Sequence, residues 1–268
     1  MKPILYRFAL AALFAVPSLH AQTAAPAAPA AAATPAATPF PTPKQDPDVP
    51  AEKYSPKTGE IDTNFIKSHE NFVKIANEGK GQLLFLGDSI TAGWAGNGKE
   101  VWAKSFSQWQ PVNFGIGGDR TQHVLWRIVN GELPSNFKPK AAVLMIGTNN
   151  VGNDSAEAIA KGVTKIVETI REKTPDTKIL LLAVFPRGEF PSAPGKPNGA
   201  RDKLAKVNEI IAKLDDQKHV FFLDIGAKLT EPDGKMIKEI SPDFLHYTAA
   251  GYQRWADAIT PKLTELMK

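Results

Sequence analysis

The chain has 268 residues, of which 43% are apolar and 22% charged, a globular composition sufficient for one large domain or two small ones. Thirty-two Lys and Arg against 28 Asp and Glu leave a formal charge of only +4, and with no long basic run a nucleic-acid partner is not expected. Cysteine is absent, which excludes disulfides, thiolate metal sites, a Cys nucleophile and a lipidated Cys anchor.

Lys2 and Arg7 precede an apolar run, Phe8 to Val16, followed by Pro17, Ser18 and small residues around Ala21. This order is that of an export signal peptide over residues 1–21. The run falls short of the roughly 20 apolar residues of a membrane span, so stable membrane insertion is not expected once the leader is cleaved. Residues 22–50 are dominated by Ala, Pro and Thr, with Pro26, Pro29, Pro35, Pro39, Pro41 and Pro43 among them. Such a segment cannot bury a core and is expected to be a disordered linker of extended, polyproline character. The folded domain is expected over 51–268.

Within that domain, Ile61, Phe65, Ile66, His69, Phe72, Val73 and Ile75 predict a helix stopped by Gly79. Five short apolar runs follow: Gln82 to Leu86, Val112 to Phe114, Ala141 to Ile146, Ile179 to Val184 and Val220 to Leu223. Each is continuous rather than alternating, as a strand buried on both faces should be. Helical patterns separate them: His123 to Ile128; Ala156 to Ile170; Leu204, Val207, Ile210, Ile211 and Leu214; and Tyr252, Trp255, Ile259 and Leu263. Strand–helix alternation predicts an α/β protein, a three-layer α/β/α sandwich over a five-stranded parallel sheet of flavodoxin-like kind. In such sheets sites form at the carboxyl ends of the strands.

Four blocks stand at those ends. Gly87-Asp88-Ser89-Ile90-Thr91 puts a Ser at the start of a helix, where backbone N–H groups favour developing negative charge; the same Ser could equally be a helix cap. Gly115-Ile116-Gly117-Gly118-Asp119 exposes backbone N–H groups and lacks the G-x-G-x-x-G pattern of dinucleotide binding. Gly147-Thr148-Asn149-Asn150 offers a side-chain amide to an oxyanion, or an Asx turn. Asp243-Phe244-Leu245-His246 lets a carboxylate fold back on an imidazole and leave Nε2 bare as a base. The remaining histidines carry less: His20 goes with the leader, His69 lies in the first helix, His219 precedes a strand, and His123 suits packing or a structural hydrogen bond. A nucleophile, an oriented base and two kinds of oxyanion donor at one sheet edge are what serine acyl transfer requires.

With these blocks the chain resembles the GDSL/SGNH hydrolases, over roughly residues 83–265 and in the same block order. The family's Ser, Gly, Asn and His correspond to Ser89, Gly118, Asn149 and His246. The likeness is stronger to the branch of platelet-activating factor acetylhydrolase catalytic subunits. It is carried by Asn113-Phe-Gly-Ile-Gly-Gly-Asp-Arg-Thr-Gln-His-Val-Leu-Trp-Arg127, Asn130-Gly-Glu-Leu133, Gly147 to Asn150, Pro186-Arg-Gly188 and Leu245-His-Tyr247. The resemblance implies Ser89 as nucleophile, His246 as base and then acid, and Asp243 as its orienting carboxylate. It further implies an oxyanion hole from the N–H groups of Ser89 and Gly118 and the amide of Asn149, with no cofactor and no metal. Two departures stand out: the leader and linker, unlike intracellular relatives, and Ser-Ile in place of Ser-Leu.

Together these readings predict a secreted or periplasmic serine esterase that removes short acyl groups, acetyl above all, from a small-molecule or O-acetylated carbohydrate ester. A lysophospholipase or thioesterase with a deep apolar channel is the alternative, and a non-catalytic binding module a third reading. The Gly/Pro-rich stretch 187–200 is a loop that could border the pocket. Trp94, Trp102, Trp109 and Trp126 could stack on sugar or simply pack. Oligomeric state is not set by the sequence.

Overall fold

The computed structural model describes residues 40–268 apart from Glu189, Phe190, Pro194, Gly195 and Asn198. The expected signal peptide, His20 and linker residues 22–39 lie outside the described residues. Five strands form one sheet: β1 (Leu83–Gly87), β2 (Pro111–Gly115), β3 (Ala141–Met145), β4 (Lys178–Leu182) and β5 (Val220–Leu223). Their order is β2-β1-β3-β4-β5 and every pairing is parallel, the flavodoxin-like arrangement.

The continuous apolar runs divide strictly by parity between the two faces. Leu84, Leu86, Ala142, Leu144, Ile179 and Leu181 enter one buried cluster, while Leu83, Phe85, Val143, Met145, Leu180 and Leu182 enter the other. Successive strand side chains point to opposite faces, so a strand covered on both sides must be apolar at every position. The first face is covered by α1 (Thr63–Asn77), α4 (Thr121–Arg127), α5 (Ala156–Lys173) and α6 (Ala200–Ile211). The second is covered by α3 (Lys99–Phe106) and α7 (Ala249–Leu266). The helical patterns point inward as their spacing requires: Ile159, Val163, Ile166 and Ile170 of α5 are buried, as are Tyr252, Trp255, Ile259 and Leu263 of α7. β2 is an edge strand, and only Phe114 of its five residues is buried.

One expectation needs correction. The linker does not run to residue 50, because Gln45, Pro47 and Asp48 are docked on the domain. Pro47 O accepts from Thr121 Oγ1 at 2.8 Å, Gln45 Oε1 lies 3.1 Å from His123 Nε2, and Asp48 pairs with Lys161 at 2.7 Å. Composition misled here, since the Pro-rich texture persists while its carbonyls and polar side chains find fixed partners. The four tryptophans all take part in ring packing, the second of the two readings the sequence left open. Trp94 is 1% exposed within a ring cluster of Phe85, Trp102, Phe106, Tyr252 and Trp255, Trp109 stacks on Phe106, and Trp126 packs on Phe65 and His69. No described helix is long and apolar enough to cross a membrane.

Candidate active site

At the carboxyl end of β1 the chain turns abruptly into the short helix α2 (Ser89–Ala92). Gly87 permits the turn: a Cβ there would lie 2.2 Å from Thr91 Oγ1 and 2.4 Å from Met145 O. The helix cap is Asp88, whose Oδ1 accepts from Ile90 N at 2.9 Å. The bland reading of Ser89 as a cap therefore fails, and its hydroxyl is left for another partner. Neighbouring groups pin the turn from behind: Tyr252 OH donates to Ile90 O at 2.7 Å and Asn113 Nδ2 to Thr91 O at 3.0 Å.

Ser89 Oγ meets His246 Nε2 at 2.9 Å, and His246 Nδ1 meets Asp243 Oδ2 at 2.8 Å. A carboxylate only accepts, so the proton belongs on Nδ1 and the bare Nε2 faces the serine, which then donates. The other carboxylate oxygen, Asp243 Oδ1, accepts from the N–H groups of Leu245 (3.0 Å) and His246 (2.8 Å), an Asx turn that fixes acid and imidazole as one unit. Burial pushes Asp243 up, but the hydrogen bonds from the His246 side chain and these two N–H groups outweigh it, and its value lies below the ordinary 3.8. Asp243 thus stays ionised through the neutral range. The Asp243 and His246 side chains are 56% and 45% exposed, so the site opens broadly to solvent on this side.

The glycine block and the asparagine come in beside the serine. A Cβ on Gly117 would sit 3.8 Å from Ser89 Cβ, and Gly118 holds φ +76°, a conformation that glycine alone adopts without strain. Asn149 Nδ2 donates to Asp119 O at 2.9 Å and lies 3.5 Å from Asp88 Oδ2. An amide nitrogen carries two hydrogens; one holds the loop, and the other makes only a long, 3.5 Å contact with Asp88 Oδ2, which a stronger acceptor in the site would displace. The structure therefore joins Ser89, His246 and Asp243 in one hydrogen-bonded chain and sets Asn149 against Asp88 and Asp119, the chain neighbours of Ser89 and Gly118. The start of the 187–200 loop borders them as well: Arg187 Nη1 donates to Thr148 O at 3.1 Å, and Gly188 N to Phe244 O at 2.7 Å.

Beneath the site lies a buried ionic chain that the sequence reading did not assign. Arg127, fully buried, donates through Nε to Asp119 Oδ2 at 2.9 Å, through Nη2 to Phe114 O at 3.0 Å, and through Nη1 to Glu132 Oε2. Glu132 Oε1 in turn meets His69 Nδ1 at 3.0 Å. Burial pushes Asp119 up to about 6, with Arg127 and Lys53 pulling it down. His123 is no base: it accepts from Arg120 N through Nδ1 at 3.0 Å. Burial, then the cations Lys53, Arg120 and Arg127, drive it down to about 3.

Burial, partly offset by the Ile90 N–H, also pushes Asp88 up, from 3.8 to about 7. Its folded value exceeds its unfolded one, so the native state holds the extra proton. The stability this lends is complete below about pH 4 and lost as the pH rises through about 7. Raising the pH from about 5 to about 8 should cost the protein about 2–3 kcal/mol that Asp88→Asn does not lose. Urea unfolding of both proteins at the two pH values measures this, and parallel pH dependences would show that Asp88 is ionised throughout.

The model of the GDSL-like Lipase/Acylhydrolase family matches residues 85–254. The platelet-activating factor acetylhydrolase IB subunit alpha2 of Rattus norvegicus is 38% identical over 208 residues, 77% of this chain and 86% of that protein. Among solved structures, a GDSL-like lipase from Bacteroides thetaiotaomicron superposes with TM-score 0.61 at 20% identity, covering 75% of this chain and 98% of that one. A carbohydrate acetylesterase family member from Sinorhizobium meliloti superposes with TM-score 0.54 at 18% identity, covering 69% and 98%.

Proposed function

The chain belongs to the GDSL-like lipase/acylhydrolase family and is a carboxylic ester hydrolase, and we propose that it removes short acyl groups, acetyl above all, through Ser89, His246 and Asp243. The observation that carries the reading is the continuous chain Ser89 Oγ–His246 Nε2–His246 Nδ1–Asp243 Oδ2, with links of 2.9 and 2.8 Å. His246 takes the Ser89 proton as Oγ forms a bond to the acyl carbon, and the carbonyl π pair moves onto oxygen. The N–H groups of Ser89 and Gly118 and the Asn149 amide hydrogen that otherwise makes the long contact with Asp88 receive that oxyanion, each donor contributing about 3 kcal/mol. Collapse breaks the bond to the alkoxy oxygen, which leaves with the proton from His246. Water then attacks the acyl-enzyme by the same route and returns the serine.

The acetyl preference is supported by the 38% identical relative, whose name is that of an acetylhydrolase. The broad exposure of His246 and Asp243 suits a bulky alcohol portion better than a narrow one, and this favours O-acetylated carbohydrate. Export to the periplasm or medium, suggested by the leader pattern at residues 1–21, would bring the enzyme to such polymers.

Hydrolysis of p-nitrophenyl esters from acetate to palmitate tests the acyl assignment. The expected result is a kcat/KM highest for acetate and falling by about tenfold or more by octanoate, since each misplaced methylene is worth about 1–3 kcal/mol. An optimum at long chains would overturn it in favour of a lysophospholipase or thioesterase. Acetate release from acetylated xylan with a kcat/KM well above that for acetylated small aliphatic alcohols would support the carbohydrate reading.

A further inference from the structure

The loop that carries Gly117 and Gly118 has no side chain of its own at either position to hold it. The grip comes from the docked N-terminal segment. Lys53 Nζ donates to Gly117 O and lies 3.7 Å from Asp119 Oδ1, with its side chain only 14% exposed. A Cβ on Gly118 would lie 3.1 Å from the same Nζ. The backbone on either side of Lys53 is itself fixed: Ala51 N donates to Gln122 O at 3.2 Å, and Asp62 N to Lys53 O at 2.7 Å.

Which peptide Lys53 holds matters. The carbonyl of Gly117 and the N–H of Gly118 belong to one planar unit, and in a trans peptide they point in opposite directions. Fixing the oxygen on one side therefore fixes the direction of the N–H on the other. A cation at the oxygen also draws electron density toward it, which leaves the N–H a stronger donor. We propose that Lys53 is a positioning residue for ester hydrolysis, gripping Gly117 O so that the Gly118 N–H is aimed and polarised toward the oxyanion. This rests on the reading of Gly118 as an oxyanion donor. It gives the segment just beyond the Pro-rich stretch a part in the chemistry, although it contributes no group to the reacting atoms.

The absence of native cysteine makes a clean test available. Lys53→Cys can be aminoethylated at that position alone with 2-bromoethylamine, restoring an ammonium of nearly lysine length. A second portion of the same folded preparation is capped with methyl methanethiosulfonate, which carries no charge, so the two forms do not differ in folding history. The capped form should hydrolyse p-nitrophenyl acetate with kcat about tenfold below that of the aminoethylated form and KM within about twofold. Inhibition by phenylboronic acid, whose serine adduct is tetrahedral and bears the oxyanion, should weaken by a similar factor, and Lys53→Met should behave like the capped form. Equal kcat and equal boronate affinity in the two forms would overturn the proposal, as would a loss confined to KM. Asn149→Ala, run alongside, keeps the two readings apart. Should it retain full kcat, the oxyanion-hole assignment itself has failed; should it lose about 10²-fold while the Lys53 forms stay alike, only the role of Lys53 has failed.

Discussion

Ser89→Ala should lower kcat for p-nitrophenyl acetate by about 10⁴–10⁶-fold, the loss seen when a serine nucleophile acting with its base is removed, with the melting temperature changed by no more than about two degrees. The two halves of that expectation have separate causes. The chemical half follows from the 2.9 Å contact with His246 Nε2, which gives the hydroxyl a base to take its proton. Without Oγ no acyl-enzyme can form, and what survives is attack by water in a pocket that still has donors for the oxyanion. The folding half follows from what Ser89 does not do. Asp88 caps α2, and the turn is held by Tyr252 and Asn113, so deleting one partly exposed hydroxyl breaks nothing that supports the helix. A nearly complete loss with an unchanged melt identifies the nucleophile. Activity within about a hundredfold of the parent, beyond what the remaining oxyanion donors explain, would mean that another group attacks and that the Ser89–His246 contact is not the reacting pair.

The sequence made this site legible because its parts are local. Each block is a strand end plus two to four residues, and a parallel sheet delivers all strand ends to one edge whatever the crossovers between them. Asp243 and His246 are three residues apart and need only an Asx turn to meet. The buried ionic chain is the contrary case. Arg127 and Glu132 sit in a stretch whose charges read like the polar side of a surface helix, and nothing local says that Asp119, His69 and the strand carbonyl of Phe114 will close around them. Long-range pairing converts an apparent solvent face into the floor of the site. Lys53 was missed for a related reason, since it follows a Pro-rich segment whose composition argues for solvation, while its function depends on a contact with a loop distant in sequence. The same composition hid the docking of Gln45 and Pro47, where a carbonyl and an amide side chain find fixed partners and Pro47 is buried.

Arg127→Met should destabilise the protein by about 3–5 kcal/mol, because removing one partner of a buried pair leaves the other charge uncompensated. Here two carboxylates are stranded, Asp119 and Glu132, both fully buried, and the carbonyl of Phe114 loses a donor. The pH dependence identifies the cause. Asp119 already sits at about 6 through burial, with the guanidinium opposing the rise, so without Arg127 it moves higher still. In acid Asp119 is protonated and costs little to bury; as the pH climbs through neutrality the variant must either bury the charge or hold the proton against solvent. The stability gap between parent and variant should therefore be narrower at about pH 5 than at about pH 8. A gap that is constant across that range would assign the loss to packing of the side chain against Phe72 rather than to charge. Adding Asp119→Asn to Arg127→Met makes the decisive cycle: if stranded charge is the cause, the double variant regains stability at pH 8 relative to Arg127→Met alone, and a double variant that is no more stable removes the electrostatic account. Asp119 O also anchors Asn149, so the folded fraction of Arg127→Met should show a lower kcat with little change in KM, which ties the buried chain to the oxyanion donors above it.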